Sequence, residues 1–362
     1  MADCFDIYMF PAAEGDCFWI RYGSAGVFHN ILIDGGREST ADLIKEFILQ
    51  LPEQERRLEL LVVSHIDRDH IEGILKLAGD EALCLETEDI WFNAYHHLQD
   101  EIMGAVMGEK LSDSIIAREW PWNKGFGGYT SAVKLADDGG NRDLSLAGGM
   151  HVTLLSPDSA KLLKLVPRWE KECQKVGLLP GLEVEVRPPV PADYEEMGVI
   201  DIDELADSPF ARDNSVPNGT SIAFLLEYGG KRALFAADAH PDLLLKNLQG
   251  MTAESSGKLQ LDVFKVPHHG SKNNTSKELL DCIDCPTYLL STNGSQFHHP
   301  DSAAVARILK YGGMEKVLVF NYRSNENEVW ESQEWQEQYG YRTRYPEIGC
   351  EGTIKLSLLP ED

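Results

Sequence analysis

The sequence predicts an α/β layered architecture. Three observations carry that expectation: short apolar, β-rich runs recur in both halves of the chain, helical spacing of apolar residues fills the intervals between them, and no internal repeat of fixed period is present. With 362 residues, 43% of them hydrophobic, there is material for one large core. No stretch approaches the ~20 unbroken apolar residues that span a bilayer, so no membrane partner is expected. The opening MADCFDIYMF has neither a basic segment nor a cleavable apolar run. Seven cysteines, odd in number and scattered, fit free thiols in a reducing cytoplasm, and the CxxC of Cys282 and Cys285 has no second pair beside it. Lys and Arg number 33 against 59 Asp and Glu, a formal charge of −26 that keeps polyanions away at long range and argues against a long nucleic-acid groove. It leaves room for a local cleft that binds phosphate.

The elements follow in order. Residues 4–10 and 16–22 are β-rich runs joined by PAAEG, a hairpin-like pair. Residues 27–33 make a strand that ends in Asp34-Gly35-Gly36, where the glycines allow a tight turn. Residues 39–50 read as a helix, with Ser39 or Thr40 as its cap and Leu43, Ile44, Phe47 and Ile48 as its buried face. The run 58–63 is a buried strand, and 69–77 is a helix packed through Ile71, Ile74, Leu75 and Leu77, with Asp69 suited to cap it. A further strand covers 88–92. From about 93 to 149 the pattern weakens into a helical and loop insertion, helical over 101–120. A strand (150–156) and a helix (159–176) follow, and the Pro-rich, acidic 180–213 reads as a loop or flap, so that a second insertion spans about 157–215 of a single domain, 1–362. Strands over 220–228 and 231–236 flank Gly229-Gly230, a strong hairpin signal. Beyond them come a helix from Pro241 to Leu248, a strand (261–266) leading into PHHGS, a helix (275–282), a strand (287–291), a loop (293–300), a helix (302–311), and closing strands at 316–321 and 352–358.

Four places share one grammar, a hydrophobic strand that delivers an acid or a histidine at its carboxyl end: Asp34, the group His65, Asp67, Asp69 and His70, then Asp238, then His268-His269. Imidazole with carboxylate is the donor mix that borderline and hard divalent metals take. Together these residues can supply two cations, His65 and Asp67 for one, Asp69 and His70 for the other, with Asp238 between them and either His268 or His269 completing the second. Two metals about 3.5–4 Å apart clamp a phosphoryl or carbonyl oxygen. His298-His299-Pro300 is a further candidate, whereas His96-His97 and His151 read as structural or surface residues.

The order DGG, HxDxDH, AADA and PHHGS resembles the metallo-β-lactamase superfamily, and within it the branch that contains the hydrolase domain of the competence protein ComEC. The segment Asn218-Gly219-Thr220-Ser221 and the loop from Ser291 to Pro300 match the same pattern, so the likeness runs from Gly15-Asp16 to Pro300. It implies a four-layer αββα sandwich with metals at one edge and helical and loop segments inserted. The superfamily's middle metal-binding histidine is absent, since no His lies between His151 and His240; Asn218 or water would fill its place. Asp67, standing where a second His is usual, hardens the site, so manganese is as plausible as zinc. No membrane channel accompanies the domain, so DNA uptake is not implied.

The resemblance implies a metal-dependent hydrolase of a phosphoester or phosphodiester, in a nucleotide or nucleic acid, that uses a metal-bound hydroxide. Asp69 would orient that hydroxide. His299, or whichever of His268 and His269 is not a ligand, would protonate the leaving oxygen. Ser271 and Lys272 would hold a phosphate oxygen, and Asp34 would lie behind the metals. Two alternatives stand beside it: hydrolysis of a carbonyl ester, lactone or thioester on the same metals, and a non-catalytic acidic adaptor with a structural metal site that binds a protein partner through residues 93–215.

Overall fold

The structure, a computed structural model, describes residues 3–83, 85–97, 106–175, 200–253, 257–348 and 352–359. Apolar residues at every second position build its two sheets. In β1 (Cys4–Met9) and β2 (Phe18–Ser24), Phe5, Ile7, Met9, Phe18, Ile20 and Tyr22 all face the interior between the sheets. The two strands pair antiparallel across the PAAEG segment, β3 (Val27–Ile33) continues antiparallel, and β4 (Leu60–Val62) and β5 (Ile90–Trp91) add in parallel. The strand Ile354–Ser357, numbered β16 as the last in the chain, closes the opposite edge against β1.

Among the described residues the second sheet has eight strands. β6 (Arg142–Ser145), β7 (His151–Ser156), β8 (Ala223–Tyr228) and β9 (Lys231–Phe235) form an antiparallel meander. From β9 onward the sheet is parallel through β11 (Val263–Lys265), β13 (Thr287–Leu290), β14 (Lys316–Phe320) and β15 (Tyr341–Arg344). Two short strands, β10 (Leu259–Gln260) and β12 (Ile283–Asp284), pair separately. Gly229 and Gly230 turn the β8–β9 hairpin with φ of 59° and 76°, as the sequence predicts.

Three buried clusters define four layers. The middle one joins the inner faces of both sheets, with Ile20, Ile31 and Val62 from the first meeting Val152, Phe224 and Val263 from the second. The outer face of the first sheet is covered by α1 (Glu38–Gln50), α2 (Arg68–Gly79), α3 (Val106–Ala117) and α4 (Ser159–Lys175) through Ile44, Ile74, Leu111 and Trp169. On the outer face of the second lie α5 (Ile202–Ala206), α7 (Pro241–Ala253), α8 (Lys277–Asp281) and α9 (Ser302–Tyr311); α6 (Val216–Gly219) packs on α4, and α10 (Gln333–Tyr339) lies beside β15. This is the αββα sandwich.

Several expectations need correcting. The first helix begins at Glu38, so Ser39 and Thr40 lie inside it, and Leu43 points outward while Ala41 takes a place on the buried face. The 58–63 strand shrinks to Leu60–Val62, because only there does β3 supply partners. Helix α2 starts at Arg68 behind Asp67, which leaves Asp69 in its first turn, free of capping duty. Residues 98–105 and 176–199, which hold part of the expected 101–120 helix and most of the 180–213 loop, lie outside the described residues, as do Cys84 and Cys350. What is described of the first insertion is knitted into the sandwich: Trp122 bridges Ile90, and α3 packs on α2.

Candidate metal centre

Parallel strands put their carboxyl ends at one edge of a sheet, and that edge is where the site is built. Asp34 follows β3, Ser64 and His65 follow β4, Asp238 follows β9, His268 and His269 follow β11, and Ser291 follows β13. Helix α2 is drawn close over the Asp34 turn because Gly73 meets the Gly35 carbonyl, a spot where a Cβ would collide with backbone. Gly15 likewise lets the PAAEGD loop pass against the backbone of Asp69. Among the described residues, Asp34, Ala237, His268, His269 and His298 all adopt positive φ, between 45° and 55°. Left-handed backbone in non-glycine residues costs about 1–3 kcal/mol each, so the surrounding contacts must hold these turns in place.

The imidazoles share one orientation. His70 donates from Nδ1 to Asp34 Oδ2 (2.8 Å), and His269 from Nδ1 to the Ser291 carbonyl (2.9 Å). His65 donates from Nδ1 to Ser64 Oγ (3.0 Å), whose own hydroxyl donates to Asp34, and His268 donates from Nδ1 to Asn274 Oδ1 (3.0 Å). Each ring is thereby fixed with Nε2 directed inward. All four Nε2 atoms close on the Asp238 carboxylate, those of His65, His70 and His268 lying 3.9, 3.6 and 3.7 Å from Oδ2 and that of His269 lying 3.5 Å from Oδ1. Asp69 Oδ2 stands 3.8 Å from His70 Nε2 and 3.5 Å from His269 Nε2. Asp67, more exposed, places Oδ2 3.7 Å from His65 Nε2.

Among the described residues, four sets of donor atoms lie close enough together to grip an ion; His65–His70–Asp238 and Asp69–His70–His269 face the centre, and Asp16–Asp34–His70 and Asp16–Asp238–His269 lie behind it. Their chemistry fits a divalent cation. His70 Nε2 and His269 Nε2 face each other at 3.3 Å, and among the described residues buried His65 Nε2 and Asp238 Oδ1 have no hydrogen-bond partner. Buried polar atoms left in that state are costly unless a cation or a proton satisfies them. Burial opposes charge on His70 and His269, yet Asp238 above all raises both well above the ordinary histidine value, while burial pushes His65 down to about 3. Burial also opposes charge on Asp238, but His269, His268 and His70 hold it well below the usual carboxylate range. Metal ligation displaces protons from such groups.

The remaining sequence candidates sit around this cluster. Asp34 lies behind His70, burial raising its carboxyl while His70 and Ser64 counter that. Asn218 backs His268: its amide donates to Asp213 Oδ2 (2.8 Å), and Asp213 Oδ2 is 3.4 Å from His268 Nδ1. The His299 ring is 5.3 Å from that of His268, and burial, followed by repulsion from His268 and His269, holds His299 well below its ordinary value. Ser271 is buried, with Oγ accepting the Asn273 N–H, and the exposed Lys272 leans toward Asp301 at 3.9 Å. Cys285 is buried and donates to the Thr287 carbonyl, and among the described residues no cysteine joins a group able to hold a metal.

Sequence reasoning missed Ser64, Asp213, Lys265 and Asn274, and gave no role to Asp16 and Ser291, which it named only as motif ends. Lys265 left one trace, a lone charge inside the apolar run Val263–Val266; the others look like ordinary loop residues.

The four layers, with the turns after β3, β4, β9 and β11 delivering Asp34, HxDxDH, Asp238 and His269 to one edge, decide the architecture. This is the four-layer architecture that the resemblance to the metallo-β-lactamase superfamily implies. No family model matches the chain. ComE operon protein 3 of Bacillus subtilis (strain 168) is 30% identical to it over 94 residues, which are 26% of this chain and only 12% of that protein, in keeping with the resemblance to the ComEC-type hydrolase domain. Among solved structures, the metallo-β-lactamase-fold protein YhfI from Bacillus subtilis is 11% identical, with a TM-score of 0.41 over 98% of this chain and 99% of that one. A mutant of the CmlA β-hydroxylase is 14% identical, with a TM-score of 0.40 over 98% of this chain and 54% of that one. Among the described residues, no helix is long and apolar enough to cross a membrane.

Proposed function

We propose that this chain is a divalent-metal-dependent hydrolase of phosphoesters or phosphodiesters. One observation carries the reading: four imidazoles, each tied down through Nδ1, aim Nε2 at both oxygens of the buried Asp238 carboxylate. Asp69, His70, His269 and Asp238 would hold one ion, and His65, Asp67 and Asp238 the other. Three carboxylates in that set suit zinc or manganese. When bound, the metal supplies Lewis acidity toward a phosphoryl oxygen and lowers the pKa of water.

The chain's own residues supply the rest. Asp69 Oδ2, within 4 Å of two imidazoles, is placed to orient the attacking water. His268 is the better-placed proton carrier. It is more exposed than the other three imidazoles, and it has Asp213 and Asn274 behind its Nδ1 while its Nε2 faces the centre. Such a backed imidazole can deliver a proton to a departing alkoxide, the poor leaving group of a phosphodiester. Lys272 lies on the same loop and offers an exposed cation for a phosphate oxygen.

Purified protein supplied with manganese or zinc should cleave bis-p-nitrophenyl phosphate, and Asp69→Ala or His70→Ala should abolish that turnover. Retained turnover in both variants would overturn the proposal. A panel of lactones and thioesters measured alongside would expose a carbonyl hydrolase.

A further inference from the structure

Lys265 is 1% exposed, a position at which an ammonium survives only when paired. Its Nζ forms an ion pair with Asp16, donates to the Ala237 carbonyl (2.9 Å), and stands 3.8 Å from Asp238 Oδ1. Asp16 is buried as well; burial opposes its charge, yet Lys265 and then His269 hold it down to about 2. Asp16 Oδ1 lies 3.4 Å from Nδ1 of His269. A further potential ligand group, Asp16–Asp238–His269, lies beside the two that face the centre, and Lys265 is in ionic contact with both of its acids.

From this geometry we infer that Lys265 is a built-in cation that restrains how tightly the centre holds divalent metal. It neutralises Asp16, draws on Asp238 from the side away from His65 and His70, and fixes the Ala237 turn that presents Asp238. The inference rests on the metal centre proposed above. Lys265 acts through Asp238 and is a positioning residue. Like charges repel more strongly in a buried site than in water, so an ammonium against Asp238 weakens the hold on a dication, whereas an unpaired Asp16 carboxylate strengthens it.

The two partners therefore predict opposite shifts. Lys265→Met keeps the length of the side chain, removes the cation and frees Asp16, so affinity for manganese or zinc should tighten by about tenfold or more at fixed pH. Asp16→Asn leaves Lys265 unneutralised beside Asp238, so affinity should weaken by about tenfold or more. The double variant, with both charges gone, should return close to the unaltered protein. Calorimetric titration of each full-length protein, stripped and reloaded with the metal alone, reads all three, and circular dichroism checks their folds. Weakening in both single variants is what a merely structural ion pair would give and overturns the inference, as does unchanged affinity in either. If Lys265→Met fails to fold, Lys265→Gln, which also removes the cation and keeps a polar contact to the Ala237 carbonyl, takes its place: affinity should again tighten, and weakening there overturns the inference. If the unaltered protein takes up no metal, it is the metal-centre reading that fails.

Discussion

His96–His97 and His268–His269 are both adjacent pairs lying past the end of a strand, yet their hydrogen bonds run in opposite senses. His97 accepts the Ala94 N–H at Nδ1 (3.0 Å) and donates from Nε2 to the Tyr129 carbonyl (2.9 Å), which leaves no lone pair for an ion. His96 donates to the same carbonyl (3.1 Å), stacks on Tyr129 at 4.6 Å and, with His97, turns an edge against Trp122. Burial in that aromatic nest, and then repulsion from His96, drives His97 down to about 3. His269 shows the reverse: its Nδ1 proton goes outward to a carbonyl, its Nε2 lone pair inward, and Asp238, Asp16 and Asp69 lie around it. A histidine pair is thus neither a ligand nor a packing element by its own nature. Which nitrogen the backbone engages decides the matter.

The largest effect that can break this contrast is loss of the inward lone pair. His269→Ala should lower the bound metal equivalents, counted by elemental analysis, and reduce phosphodiester turnover by at least about a hundredfold, more than the tenfold to hundredfold typical of a residue behind a ligand. Full metal content in that variant would mean that His269 belongs with His97 as a packing residue.

The next is its mirror image. His97→Ala removes two hydrogen bonds and an edge contact with Trp122 from a half-buried nest, and should lower unfolding free energy by about 1–3 kcal/mol in urea titration. Metal equivalents should not change. A loss of metal would place the insertion in the centre's support and erase the contrast.

How much of this was legible in the sequence follows the same division between local and distant contacts. Asp34, His65, Asp67, Asp238 and the pair His268–His269 lie shortly past an apolar strand, Asp69 and His70 open the helix that follows one, and parallel strands gather such ends at one edge, so strand-then-ligand spacing singled these residues out while leaving the choice between His268 and His269 open. Lys265 and Asp16 come from opposite ends of the chain and have meaning only as a pair. Asp213 sits in a stretch with no periodicity and acquires its role by reaching His268. Among the elements, β6 and β15 left no signal. Arg142–Ser145 buries none of its residues fully and Tyr341–Arg344 buries only Tyr341, because edge strands take their register from a neighbour instead of a hydrophobic face. Leu43 failed for a related reason: helical spacing marks a stripe, and the position of the sheet beneath decides where that stripe ends.

The smallest effect separates the two pairs by pH. His97 has a folded value of about 3, below the roughly 6.5 of an unfolded histidine, so the unfolded chain binds the extra proton across that window. The stability it contributes is fully present above about 6.5 and is lost as pH falls toward 3. His96 is lowered in the same direction by burial, so it adds to the slope. His97→Gln keeps a polar side chain that cannot titrate, and the difference in unfolding free energy between it and the unaltered protein should therefore shrink between pH 6.5 and pH 4, measured on metal-free samples so that the centre is the same in both. A difference that stays constant or grows on acidification would mean that His97 carries a proton in the folded chain, in which case the aromatic nest is wetter than its geometry indicates and the two pairs are less unlike than their hydrogen bonds suggest.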